Sequence, residues 1–231
     1  MSDNMKTAFV RSFVFPLIAA GLIIGAFKMW RPERFTQGER SRSSEISLRQ
    51  RNDANRNDKL PVFGQVPDFS LVRENGQKIS NADLRGKVWI ANFIFTHCSG
   101  ICPLMSAGMS SLVNQLGAQP VLRFISFSVD PERDTPAVLS EYAKRFKAPA
   151  DRWFFLTGDK AQIYRLSNQH FHLGAAEIAP EEREALDQSV RHSAKFALVD
   201  QKGQIRGYYD SDGQNAGAKI VKDARLLLGG E

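Results

Sequence analysis

The sequence predicts an α/β fold: a β-sheet with helices on both faces, an additional β-hairpin in front, and a single transmembrane helix before that. Three observations predict it. Residues 88–95 and 121–129 are continuous apolar runs, the pattern of strands covered on both sides. Stretches with helical spacing or helix-start signals alternate with them, and alternation of this kind builds a helix-covered sheet. Ahead of all this lies an uncharged run over residues 13–27, separated from the rest by a polar segment.

The elements follow in chain order. After a short N-terminal segment, residues 1–12, the stretch 13–30 is 18 residues long, with Lys28 able to snorkel and Trp30 suited to the membrane interface. We read it as an uncleaved anchor. A cleaved signal peptide is the alternative, but no small-residue cleavage pattern follows Phe27, where Lys28, Met29, Trp30 and Arg31 stand. Charge does not orient the span: Lys6 and Arg11 precede it, and Lys28, Arg31, Arg34 and Arg40 follow. Residues 31–60 hold one aromatic among many charges and amides, so they read as a flexible polar tether. The globular domain is expected over residues 61–231. Of the net charge of +6, residues 1–59 carry 11 basic and 6 acidic side chains, and residues 60–231 carry 20 and 19. The basicity belongs to the tail, which excludes a nucleic-acid-binding domain.

Within the domain, residues 66–71 and 78–80 flank Asn75-Gly76, a hairpin signal. Residues 88–95 form the first buried strand. Leu104, Met105, Met109, Leu112, Val113 and Leu116 repeat at helical spacing after it. Residues 121–129 give a second strand. Thr135-Pro136 supplies an N-cap and a first-turn proline for a helix to about Phe146. A short strand over 153–156 precedes a helix from Asp159 to about His170. Residues 171–191 read as irregular. Strands over 195–199 and 204–209 and a helix over about 216–228 complete the order. That order, with the cysteines where they are, resembles a thioredoxin-type fold.

Cys98 and Cys102 are the two cysteines of the 231 residues, placed where the first buried strand meets the first helix. Sulfurs near a helix start lie where thiolates are stabilised, so they exchange disulfides or bind a soft metal. A spacing of four leaves room for an ion between two sulfurs, whereas a spacing of three suits rapid disulfide closure. Two thiolates select Cu(I) or zinc and need a third ligand, commonly imidazole. In a thioredoxin-type topology the loop entering strand 195–199 faces the helix that carries the cysteines, which favours His192 over His97, His170 and His172. Met105 and Met109 share a face with Leu112 and Leu116 and read as core. Arg133 and Asp134 read as turn and cap residues. A disulfide across four residues would close a small loop and stabilise little, so a purely structural pair is disfavoured. A peroxidase reading, with one cysteine as peroxide nucleophile, is weaker. Phosphate-loop and dinucleotide glycine patterns are absent.

Three blocks carry a resemblance to a known family: Cys98-x-x-x-Cys102-Pro103, the run from Ser128 through Asp130-Pro131-Glu132-Arg133-Asp134 to Pro136, and His192-Ser193 with Leu198-Val199-Asp200. Over about residues 60–228 the chain resembles the Sco/SenC proteins, membrane-anchored copper proteins of thioredoxin-like fold that help assemble the dinuclear copper centre of cytochrome c oxidase. The resemblance implies copper, as Cu(I) or Cu(II), held by Cys98, Cys102 and His192. It also implies a domain on the extracytoplasmic side of the cytoplasmic membrane, a partner in the copper-centre subunit of the oxidase, and an upstream copper donor. Asp130 matches an acidic family position and either steers His192, tunes a thiolate, or opens the Asp-Pro turn. Ser99 stands where family members often have proline. The alternative function is a thiol–disulfide oxidoreductase using Cys98 and Cys102 as a redox pair.

Overall fold

The computed structural model describes residues 60–177, 190–211 and 216–229, with residues 176–177 and 190–192 as backbone only. The expected anchor at 13–30 and the tether up to residue 59 lie outside the described residues. Among the described residues no helix is long and apolar enough to cross a membrane.

Strands β1 (Gly64–Gln65), β2 (Ser70–Arg73) and β3 (Lys78–Ser80) open the domain. The hairpin expected around Asn75-Gly76 is β2–β3, and Gly76 takes φ +83°, closing a turn in which its N–H reaches the Arg73 carbonyl at 2.9 Å. The sequence places the first strand over 66–71. Instead residue 66 follows the edge strand β1, and Val66 and Phe69 turn into the core between β1 and β2.

Strand β4 (Val88–Ile94) is buried at every position, and helix α1 (Ile101–Leu116) follows it across a six-residue turn. Strand β5 (Leu122–Ser128) precedes α2 (Pro136–Arg145), whose N-cap Thr135 accepts the Val138 N–H as its sequence suggests. Strand β6 (Trp153–Thr157) leads to α3 (Lys160–Arg165), capped by Asp159, and then to a π-helical turn over Leu166–His170. The stretch 171–191, expected to be irregular, contains β7 (Ala175–Glu177) and the start of β8 (Val190–His192), which pair as a separate two-stranded sheet. Short strands of mixed polarity carry no alternation strong enough to signal them. Strands β9 (Lys195–Val199) and β10 (Gln204–Asp210) and helix α4 (Ala216–Leu228) complete the domain.

Among the described residues the main sheet has eight strands, in the order β1-β10-β9-β4-β5-β6-β2-β3. Strands β4, β5 and β6 run parallel, and β9 lies antiparallel against β4. On one face Tyr142 of α2 packs edge-on against Phe155, Gly108 of α1 lies against Phe196, and Tyr209 reaches Asp223 of α4. The other face holds a cluster of Phe69, Trp89, Phe93, Phe127 and Phe171, the last of these just after the π turn. Helices therefore cover both faces, as expected. The antiparallel register Trp89↔Val199 to Ala91↔Ala197 sets the start of β9 at the same sheet end as the finish of β4.

Candidate metal centre

The turn between β4 and α1 carries both cysteines. Helix α1 begins at Ile101, earlier than its apolar repeat indicates, so Cys102 sits inside the first turn and Cys98 three residues before the helix. Gly100 at the N-cap offers no side-chain acceptor, and the Cys102 N–H instead points to Cys98 Sγ at 3.5 Å. The sulfur thus takes the place of a capping oxygen. Neither cysteine is in a disulfide. Cys98 is 6% exposed and Cys102 is fully buried.

The thiolate expected at the helix start is not favoured at Cys102. A hydrogen bond with the Cys98 side chain and burial together hold the Cys102 thiol far above the usual thiol range.

A buried carboxylate anchors the turn from behind. Asp134 has a fully buried side chain and accepts three hydrogen bonds: Thr96 N–H at 3.1 Å, Thr96 O–H at 2.5 Å and Ser128 O–H at 2.6 Å. It therefore ties the residue two before Cys98 to the end of β5. Burial raises its pKa, against the lowering effect of these bonds. The Thr96 hydroxyl gives its one proton to Asp134, so His97 Nδ1, 3.1 Å from the same oxygen, must be the donor there. Sequence reasoning assigns Asp134 to a turn or cap and misses this tie. The available signal is a polar Thr96 ending the apolar run before Cys98.

Behind α1, Ser106 Oγ lies 3.0 Å from Tyr142 Oη, both buried, and burial pushes the Tyr142 phenol up to about 12. Met105 and Met109 are fully buried, consistent with core packing. Asp130 is engaged locally: Arg133 Nε sits 2.7 Å from its carboxylate, and its carbonyl accepts the Arg133 and Asp134 N–H groups. This is the geometry of a turn.

Of the other candidates, His97 is more than half exposed and committed to Thr96. His170 lines a cavity of about 310 Å³ with Asp68, Gln162 and Arg165, on elements other than those carrying the cysteines. His172 is exposed, with φ +51°. The backbone of His192 ends β8, and Ser193 and Ala194 join it to β9, whose start lies at the sheet end where β4 delivers the cysteine turn. Among the described residues no group of three or more His, Cys, Asp or Glu forms a metal cluster. The ring of His192 is outside that description.

The donor set suits a soft ion. The two hydrogen-bonded sulfurs, Cys102 in the first turn of α1 and Cys98 three residues before the helix, are soft donors of the kind that Cu(I) or zinc selects. The profile of the SCO1/SenC family matches residues 60–227. The chain belongs to the SCO1/SenC family. It is 34% identical over 169 residues to the SCO1 protein homolog of Bacillus subtilis, covering 72% of this chain and 84% of that one. Among solved structures, BsSco, a member of the Sco family of cytochrome c oxidase assembly proteins in which a disulfide switch was identified, is 32% identical with a TM-score of 0.61, covering 73% of this chain and 96% of that one. ScoI of Bradyrhizobium japonicum, solved with copper bound, is 27% identical with a TM-score of 0.58, covering 68% and 98%. The fold is the mixed α/β, thioredoxin-like fold of Sco proteins.

Proposed function

We propose that this chain binds copper through Cys98, Cys102 and His192 and serves the assembly of the dinuclear copper centre of cytochrome c oxidase. The observation that carries the reading is the placement of the hydrogen-bonded pair Cys98 and Cys102 at the start of α1. Membership of a family with copper-bound relatives supports the choice of metal. Two thiolates and an imidazole give Cu(I) a low coordination number, so a partner's thiols can enter and take the ion by ligand exchange. Because burial and the hydrogen bond with Cys98 favour the protonated form of Cys102, loading releases that proton to solvent. In this reading residues 13–30 anchor the domain to the cytoplasmic membrane on its extracytoplasmic side, and the tether lets it search for the copper-centre subunit. A separate donor supplies the copper.

A second reading uses the same sulfurs as a dithiol reductant. Cys98, the more accessible of the two, would attack a partner disulfide and release one partner thiolate. Cys102, after losing its proton, would then attack Cys98 Sγ, releasing the partner's second thiol and leaving a Cys98–Cys102 disulfide.

The discriminating experiment is anaerobic titration of the purified full chain with Cu(I) and Cu(II), comparing wild type with Cys98→Ser, Cys102→Ser and His192→Ala. One ion per chain, lost in all three variants, is expected. Binding indifferent to His192→Ala, with disulfide exchange intact, would favour the reductant.

A further inference from the structure

The strand that ends in His192 is not self-supporting. β7 and β8 pair over three residues each, Ala175↔His192, Ala176↔Arg191 and Glu177↔Val190, and belong to a sheet of their own. A two-stranded ribbon of this length is marginal in water and must be held by its surroundings. The structure supplies two holds. The Ser193 N–H donates to the Leu173 carbonyl at 2.9 Å. The other is Asn168, whose amide brackets one residue of β7: its Oδ1 accepts the Ala175 N–H at 2.5 Å and its Nδ2 donates to the Ala175 carbonyl at 2.9 Å. One side chain thus fills both backbone positions that a neighbouring strand would fill. The residue it holds is the register partner of His192.

Asn168 can do this because of the unusual turn that carries it. Leu166–His170 is π-helical, with the Phe171 N–H reaching back five residues to the Leu166 carbonyl at 2.8 Å. The Leu173 N–H in turn meets the Ser167 carbonyl at 2.9 Å. Widened turns of this kind are rare and concentrate at functional sites. The chain then passes through His172 and Gly174, both at φ +51°, before entering β7. A non-glycine residue in that region is uncommon, which marks a connection shaped for its position. Asn168 is itself exposed, so hydrophobic burial does not explain its bidentate placement.

We infer that Asn168 is a positioning residue for the copper site: through Ala175 it fixes the strand that brings His192 to the sheet end where Cys98 and Cys102 stand. The inference rests on the copper reading above. It divides the site into two halves with separate supports, the cysteine turn tied by Asp134 and the histidine strand tied by Asn168.

The test measures Cu(I) affinity of the full chain by competition with a chromophoric chelator, alongside the reduction potential of the Cys98–Cys102 pair without metal. The variants are Asn168→Ala, Asn168→Asp, His192→Ala and the Asn168→Ala/His192→Ala double variant. Asn168→Asp keeps the acceptor for the Ala175 N–H but sets a carboxylate against the Ala175 carbonyl, and serves if the alanine variant folds poorly. A fall in Cu(I) affinity of about tenfold or more is expected for both Asn168 variants, with the thiol potential unchanged. The double variant should bind no more weakly than His192→Ala alone, because a residue acting through His192 has nothing left to position. Wild-type affinity in the Asn168 variants, with His192→Ala defective, overturns the inference and leaves the copper reading standing. So do additive losses in the double variant, or a shifted thiol potential. If His192→Ala itself binds copper as wild type does, the reading beneath the inference fails.

Discussion

Asp134→Ala is the perturbation that tests how the cysteine turn is held. The substitution removes the acceptor for the Thr96 N–H, the Thr96 hydroxyl and the Ser128 hydroxyl. The hydroxyls can rotate toward other partners, but the backbone N–H cannot, and an unsatisfied buried group of that kind costs about 1–3 kcal/mol. Hydrogen bonds to a charged acceptor contribute about 1.5–3 kcal/mol each, so the gross loss is larger. Part of it is offset, because the carboxylate is itself costly to bury, as its raised pKa records. A net destabilisation of about 3 kcal/mol follows, within the range for breaking a buried charged network. For a domain of this size that is a fall of roughly 6–12 °C in Tm. The amide introduced by Asp134→Asn retains one carbonyl acceptor without the charge, so this variant should cost about 1–2 kcal/mol at neutral pH. The pH dependence gives an independent check. With the folded pKa above 3.8, the native state holds this proton over a window in which the unfolded state has lost it. Stability from this group therefore falls as pH rises through the window and is restored as pH drops toward 3.8. Urea midpoints measured from about pH 4 to 7 should show wild type gaining on Asp134→Asn as pH falls. A gain in the opposite direction, or an Asp134→Ala variant within about 0.5 kcal/mol of wild type, would refute the assignment.

Three further outcomes are expected. Iodoacetamide should label Cys98 before Cys102 in the metal-free protein, because Cys98 is the more exposed and Cys102 holds its proton; peptide mapping by mass spectrometry reads the order. Arg206→Met should destabilise by about 3 kcal/mol in urea, because it removes the cation paired at 2.9 Å with the buried Asp200 carboxylate, leaving it the Lys202 and Gln204 N–H groups, and releases Leu60 and Pro61 from the guanidinium. Tyr142→Phe should cost about 1–2 kcal/mol by leaving the Ser106 hydroxyl buried without its 3.0 Å partner, again measured by urea denaturation.

The parts of the fold that can be read from the sequence are those in which one local pattern has one structural outcome. An unbroken apolar run such as residues 88–95 has to be covered on both faces, and β4 is. Thr135-Pro136 can cap and start a helix, and it does. Asn75-Gly76 between extended segments has to turn the chain back. The start of α1 is less clear because Ile101 and Cys102 precede Pro103 and the N-cap is Gly100, which has no side chain. The Cys102 N–H is instead met by Cys98 Sγ, a contact no capping rule anticipates. Strands β7 and β8 cannot be read from composition at all. Their three-residue pairing is braced by Asn168, which is distant from β8 in sequence, and no periodicity in either segment records it.

The same distinction applies to the candidate site. Cysteine chemistry is carried by residue type, so Cys98 and Cys102 are visible in the bare sequence. The residues that shape their surroundings are ordinary ones whose roles exist only after folding. Thr96 and Asp134 are 38 positions apart, and neither has a local pattern that distinguishes a buried tie from a turn. An Asp or Thr before a helix usually caps it, and here Thr135 fills that role. That frees the Asp134 carboxylate to face inward, toward the Thr96 N–H at the entrance to the cysteine turn. On the copper reading, the division of labour has a functional consequence. If loading and release of an ion require the cysteine turn and the histidine strand to approach and separate, two supports on different elements allow one half to yield while the other keeps its geometry. A single shared support would couple both halves and oppose exchange with a partner. The signature this arrangement should leave is a separation of effects: Asp134 substitutions shift the thiol potential, whereas Asn168 substitutions lower copper affinity and leave that potential where it was.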